Sequence, residues 1–231
     1  MTSNQQIKKT AKHSAIYATG TILRRITGLV MLPIYTRYLT PADYGAVELL
    51  GMAIEIAGIL VGLRIAQALF RYYILAEDEF RRRQIVSTVL LTVIASSAVG
   101  SAIMLLAAEQ LTVALFGDNA YVYEFRLFTL TLVTNAISAV GLSYIRARQM
   151  PIFFVTVGIV TLALQVLLNV IFVVMLELHV TGVVYSALIS GTIVALALSA
   201  YVFTQAGFHY STSIAASLIR YITPLIAASI G

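Results

Sequence analysis

The sequence predicts an all-α polytopic membrane protein: a lobe of six transmembrane helices followed by the start of a seventh. Three observations carry this. The 231 residues are 60% hydrophobic and only 11% charged, with a mean hydropathy of +0.92, whereas soluble domains hold about 25% charged residues. The apolar runs recur at about 20 residues, the length a helix needs to cross a hydrocarbon core of about 30 Å. They lack the alternation of a membrane barrel, so helices must satisfy the backbone polar groups. Finally, Lys and Arg gather on one side of the predicted spans.

The elements follow in order. Residues 1–13 are polar and hold Lys8, Lys9 and Lys12. The apolar segment after them, about 14–39, is too long for a cleavable signal and contains Arg24 and Arg25, so it reads as a retained first span. Thr40-Pro41-Ala42-Asp43 reads as an N-cap, a proline at N1 and an acid at N3, opening span two at about 44–69. The stretch Glu77-Asp78-Glu79 followed by Arg81-Arg82-Arg83 reads as a solvated loop that can touch anionic headgroups before span three, about 84–108. Gly117-Asp118-Asn119 marks the turn before span four, about 121–145, and span five covers about 153–176. Thr181-Gly182 marks the turn into span six, about 182–206, and a seventh apolar run begins at 214.

Charge sets the orientation. Lys8, Lys9 and Lys12, then Arg71 and Arg81 to Arg83, then Arg146 and Arg148 share one side, whereas the other side holds Arg37. The N-terminus is therefore predicted to be cytoplasmic. The last apolar run stops at Gly231 in mid-span, and RRITGL at 24–29 is echoed by RYITPL at 220–225, a shared R-x-I-T-x-L six spans apart. Both features suggest a parallel repeat of six-helix units, with residues 1–206 as an N-lobe and 207–231 as a loop and the start of a C-lobe.

Several function classes are excluded. Cysteine is absent, and His13, His179 and His209 lie near predicted helix ends rather than in a cluster, which argues against a metal site. The net charge of +5 follows membrane topology, so no nucleic-acid partner is expected. There is no Ser/His/Asp arrangement, no glycine-rich phosphate loop and no carboxylate pair in a soluble site. The sequence predicts neither an enzyme nor a cofactor.

The charged residues inside the spans carry the functional reading. A charge at the bilayer centre costs about 2.5 to 17 kcal/mol, depending on how far it snorkels. Arg24 shares a stripe with Tyr17, Thr21, Gly28 and Tyr35, whereas Arg25 is surrounded by Ala18, Ile22, Leu29 and Leu32. Arg24 is thus expected to face a cavity and Arg25 to reach for headgroups. Span two holds Glu48 and Glu55 on one face, with Gly51, Gly58 and Gly62 along the same side, and Arg64 nearer its inner end. The glycines allow part of that face to be packing surface. An Arg24–Glu55 pair is within reach, either as a permanent salt bridge or as a carboxylate that competes with an anionic ligand for the arginine. Arg220, placed like Arg24 by the echo, sits about 9 Å into its span. Glu124 and Arg126 read as interfacial anchors, and Asn135, Gln165 and Asn169 as inter-helix hydrogen-bonding groups.

The run LPIYTRYLTPADYG at 32–45 resembles the "P-x-x-T-R-x-L-x-P-x-x-Y-G" junction between the first two helices of the polysaccharide and oligosaccharide flippases of the multidrug/oligosaccharidyl-lipid/polysaccharide superfamily. YIRAR at 144–148 resembles that family's end of helix four, and GVVYSA at 182–187 the start of its helix six. The resemblance implies two lobes around a central cavity, of which this chain covers the first and the opening of the second. It also implies alternating-access flipping of an isoprenoid-diphosphate-linked oligosaccharide across a bacterial or archaeal cytoplasmic membrane. On that reading Arg24, Arg64 and Arg220 hold the diphosphate, while Glu48 and Glu55 are candidates for coupling to protons or sodium. A cation-coupled drug antiporter of the same superfamily would use Glu48 and Glu55 as its site instead. A membrane-embedded glycan polymerase or ligase is disfavoured by outer connections no longer than about a dozen residues.

Overall fold

A computed structural model describes residues 30–61 and 63–227. Helix α1 covers 30–38. It is followed by α2 (Pro41–Val61), α3 (Leu63–Leu75), α4 (Glu79–Leu106) and the short α5 (Ala108–Phe116). Next come α6 (Val122–Thr129), α7 (Thr131–Ala147) and α8 (Pro151–Asn169), which continues into a π-helical segment at Val170–Met175. The chain ends with α9 (His179–Ala206) and α10 (Thr212–Ala227). No strand occurs among the described residues. Four of the described helices are long and apolar enough to cross a membrane: Glu79–Leu106, Val122–Ala147, Pro151–Met175 and His179–Ala206. The protein is an all-α, multi-pass membrane protein.

Local chemistry explains the boundaries. At the start of α2 the Thr40 hydroxyl accepts from the Asp43 amide at 3.1 Å, and the Asp43 carboxylate accepts from the Thr40 amide at 3.1 Å. This is the reciprocal cap expected from the sequence, with Pro41 supplying a pre-set φ at the first helical position. Asp78 caps α4 by accepting from the Arg81 amide at 2.6 Å. Arg81, Arg82 and Arg83 therefore lie in the opening turns of a helix rather than in the loop the sequence suggested. At the opposite end of the bundle Gly117 takes φ 83° and closes α5, a left-handed geometry that favours glycine.

Three features depart from a simple span count. Span four breaks at Leu130, where Thr129 bonds back to the Phe125 carbonyl at 2.8 Å and Thr131 to the Phe128 carbonyl at 2.6 Å. Hydroxyls bonded to the preceding turn bend helices. Span five widens into its π segment after the fully buried Asn169. Span six starts earlier than expected, at His179, so Gly182 is inside the helix. Its role is close approach, because a Cβ there would lie 2.9 Å from the carbonyl oxygen of Phe172 in the π segment.

The core is organised around α7 and α9. A Cβ on Gly141 would come within 2.8 Å of Leu198 Cβ, and one on Gly191 within 2.9 Å of Thr134 Oγ1. Small residues let these two backbones approach, as is typical where lipid removes the hydrophobic drive between helices. Span four is the central element, with 56% of its apolar window buried, and span five is peripheral at 11%. One cluster at the basic-loop end joins α3, α4, α7, α9 and α10 through Leu69, Val86, Leu90, Val140, Val202 and Leu218. A second at the opposite end gathers α2, α5, α6 and α9 around Leu50, Phe125 and Val184. Ser87 and Thr88 of α4 satisfy the turn between α9 and α10, accepting from the amides of His209 and Ser211 at 3.0 and 3.1 Å.

Candidate functional site

A cavity of about 240 Å³ opens between α2 and the broken span four. Gly51, Ile54, Glu55 and Gly58 line it from one side, and Phe128, Thr131, Leu132 and Asn135 from the other. Two local features border it. Gly51 has no atom within 4 Å of the place its Cβ would occupy, so the glycine face of α2 is open here rather than packed. Across from it, Phe128 on one side of the interruption at Leu130 and Thr131, Leu132 and Asn135 on the other complete the wall.

Glu55 gives the cavity its character. It lies 14 residues after Pro41, about 21 Å along the helix axis from the start of α2. Both Glu55 and Asn135 are exposed. A carboxylate among apolar helices is best accommodated where it borders a cavity, because burying an unpaired charge is costly. Glu48, also exposed, lies two turns away on the same helix, on the face the seven-residue spacing predicted.

The remaining expected site residues fall as follows. Arg24, Arg25 and the proposed Arg24–Glu55 contact lie outside the described residues. Arg64 is on α3, in the half of span two nearer the basic loops, and its side chain lies outside the description. Arg220 is exposed on α10, a helix that packs through Ile214 and Leu218 into the cluster shared with α3 and α4. Glu48 and Glu55 share α2, so among the candidates the structure brings these two together.

The polar residues read as structural behave largely that way. Asn169 accepts from the Tyr35 hydroxyl at 3.1 Å, tying α1 to span five, while its own amide donates to the Gln165 carbonyl at 2.8 Å. Arg126 is paired with Glu109 at 2.9 Å and Glu124 accepts from the Thr181 hydroxyl at 2.6 Å, both as anchors at the end opposite the basic loops. Asn135 differs: it faces the cavity beside Glu55. No group of three or more metal-ligating side chains occurs among the described residues.

Sequence reasoning missed a set of tyrosines at the basic-loop end. Tyr73, Tyr144 and Tyr201, from α3, α7 and α9, meet there beside Arg82 and Arg148. The Tyr73 phenol is pushed above its ordinary range first by burial and then by Glu79, with Arg148 and Arg82 opposing. The available signal was a tyrosine near the basic-loop end of three different spans, where an amphipathic ring suits a membrane–water interface.

Among known families, the one described as polysaccharide biosynthesis protein matches residues 10–231. No curated protein and no solved structure matches the chain.

Proposed function

We propose that this chain, which belongs to the polysaccharide biosynthesis protein family over residues 10–231, flips an isoprenoid-diphosphate-linked oligosaccharide across the cytoplasmic membrane by alternating access. The family supports a lipid-linked saccharide flippase, and one structural observation carries the reading further. That observation is the cavity between α2 and span four, where Glu55 and Asn135 bring polar groups into a mostly apolar lining. A purely scaffolding bundle has no reason to keep a carboxylate there.

In this mechanism the diphosphate is held by Arg24, Arg64 and Arg220, the saccharide lies in the hydrated cavity and the polyprenyl tail stays in lipid. A diphosphate cannot enter hydrocarbon unpaired, and buried guanidiniums gain a bidentate partner by binding it. Glu55 is the coupling carboxylate: protonated or sodium-bound in one state and ionised in the other, it alternately competes with the diphosphate for the arginines and releases them. Glu48 stands nearer the outer end of the same face, on the exit path of the ion. Residues 1–206 form one lobe with a cytoplasmic N-terminus, and 207–231 open the next. The chain acts as a transporter rather than as an enzyme.

The cavity carboxylate also favours a second reading, a cation-coupled drug antiporter in which Glu48 and Glu55 bind the substrate and Arg24 is scaffolding. Variants of Arg24 separate the two. Arg24→Ala is expected to abolish export of the lipid-linked saccharide with insertion intact, and Arg24→Lys to restore part of it, because a point charge lacks the fork. Normal export by correctly inserted Arg24→Ala protein overturns the diphosphate assignment. A fall in folding yield that is rescued by also removing Glu55 makes Arg24 half of a structural salt bridge instead.

A further inference from the structure

At the end of the bundle that carries the basic loops, two guanidiniums lie against one wall of tyrosine rings. Arg82 sits over the Tyr73 ring at 5.6 Å and Arg148 over the Tyr144 ring at 5.7 Å. The two rings meet edge to face at 5.8 Å, and Tyr201 continues the wall 6.2 Å from Tyr144. Helices α3, α4, α7 and α9 all contribute, so the wall is built by the fold rather than by one flexible loop.

Among the described residues neither guanidinium is held in a tight ion pair. The Nη1 of Arg148 donates to Gln205 at 2.8 Å and reaches the Tyr144 and Tyr201 hydroxyls at 3.5 Å, all neutral groups. Arg82 stands 3.6 Å from the Glu79 carboxylate, well beyond the roughly 2.7–2.9 Å of a charge-assisted hydrogen bond. Its Nε is buried without an acceptor. The side chain of Arg82 is nevertheless 38% exposed, and Arg148 is exposed as well. The stems are fixed by stacking, while the charged ends remain open to an anion.

The surroundings specify the kind of anion. Exposed apolar side chains lie close by in sequence on two of the contributing helices: Ile74 and Leu75 on α3 and Phe80 on α4. A soluble phosphate has no use for that rim, whereas acyl chains do. Tyrosine at headgroup depth and basic pockets between helix ends on the cytoplasmic side are general means of engaging anionic lipid. We propose that Arg82 and Arg148 form a binding site for the headgroup of an anionic phospholipid of the adjoining leaflet. The tyrosines and Gln205 hold the guanidiniums in place, and the acyl chains lie along the apolar rim. The site is separate from the cavity at Glu55 and does not depend on what the protein transports.

Native mass spectrometry of the purified full chain, titrated with phosphatidylglycerol or phosphatidylcholine, tests this directly. The protein is expected to retain phosphatidylglycerol in preference to phosphatidylcholine. The double variant Arg82→Gln/Arg148→Gln is expected to bind phosphatidylglycerol about tenfold more weakly, about 1.4 kcal/mol. Arg83→Gln removes the same charge from the same helical turn outside the cluster and is expected to change affinity less than about twofold. Should the double variant fail to insert, either single variant is expected to lose about threefold. Three results overturn the proposal: unchanged affinity in the double or single variants, an equal loss in Arg83→Gln, or displacement of the lipid by inorganic phosphate or diphosphate at matching concentration.

Discussion

Adding one methyl group at the contact between α7 and α9 tests the architecture on which every site depends. Gly141→Ala places a Cβ 2.8 Å from Leu198 Cβ and 3.2 Å from its Cδ1. The nearest atom is anchored to the α9 backbone, so a rotamer change does not relieve the clash and the helices must separate. Overpacking of this kind costs about 1–3 kcal/mol. Alanine also has a higher helix propensity than glycine by about 1 kcal/mol, which masks part of that cost. Gly51→Ala provides the correction, since it is likewise inside a helix and its Cβ meets nothing within 4 Å. The propensity term cancels between the two variants, leaving the steric cost alone. A chain of this length shifts by about 2–4 °C per kcal/mol, so Gly141→Ala is expected to melt about 2–12 °C below Gly51→Ala. Thermal unfolding of both purified proteins in one detergent, followed by loss of the monodisperse chromatographic peak, measures the difference. If Gly141→Ala melts at or above Gly51→Ala, the tight α7–α9 contact is wrong.

Three further outcomes are expected. Glu55→Gln should leave thermal stability within about 0.5 kcal/mol, because the side chain is exposed, while transport loses its dependence on the driving ion gradient; transport that still follows the gradient removes Glu55 from coupling. Tyr35→Phe should lower stability by about 0.6–2 kcal/mol by leaving the buried Asn169 oxygen without its donor, and an unchanged melting temperature refutes that tie between α1 and span five. A single cysteine in place of Glu79, on this cysteine-free background, should react only with reagents that reach the cytoplasm; labelling from outside intact cells reverses the topology.

The legible parts of the fold are those set by local chemistry or by period. The Thr40–Asp43 cap is reciprocal, and its four residues decide the start of α2 without help from the rest of the chain. Glu48 and Glu55 fall on one exposed face because seven residues make about two helical turns. What escaped the sequence depends on neighbours. Threonine is ordinary in membrane helices, so nothing in the sequence around Thr129 and Thr131 marks the interruption at Leu130 or the cavity beside it. The π segment at Val170–Met175 carries no local marker, since its residues suit an α-helix equally well. Gly182 resembled a turn because glycine signals turns in isolation, whereas here it makes room for the Phe172 carbonyl. Arg81 to Arg83 resembled a loop because charge runs are usually solvated, yet the Asp78 cap draws them into α4. Asn135 was expected to bond across helices and instead faces open space, which depends on the glycines of α2 opposite it.

The central claim is that the protein moves a diphosphate-linked saccharide between leaflets. The most direct measurement follows a fluorescent polyprenyl-diphosphate saccharide in proteoliposomes holding the purified protein, scored as the fraction accessible to a membrane-impermeant quencher over time. The account predicts protein-dependent exchange that Arg24→Ala abolishes and that a polyprenyl monophosphate without sugar does not inhibit at equal concentration. Exchange no faster than in empty liposomes, or exchange undiminished in Arg24→Ala, contradicts it.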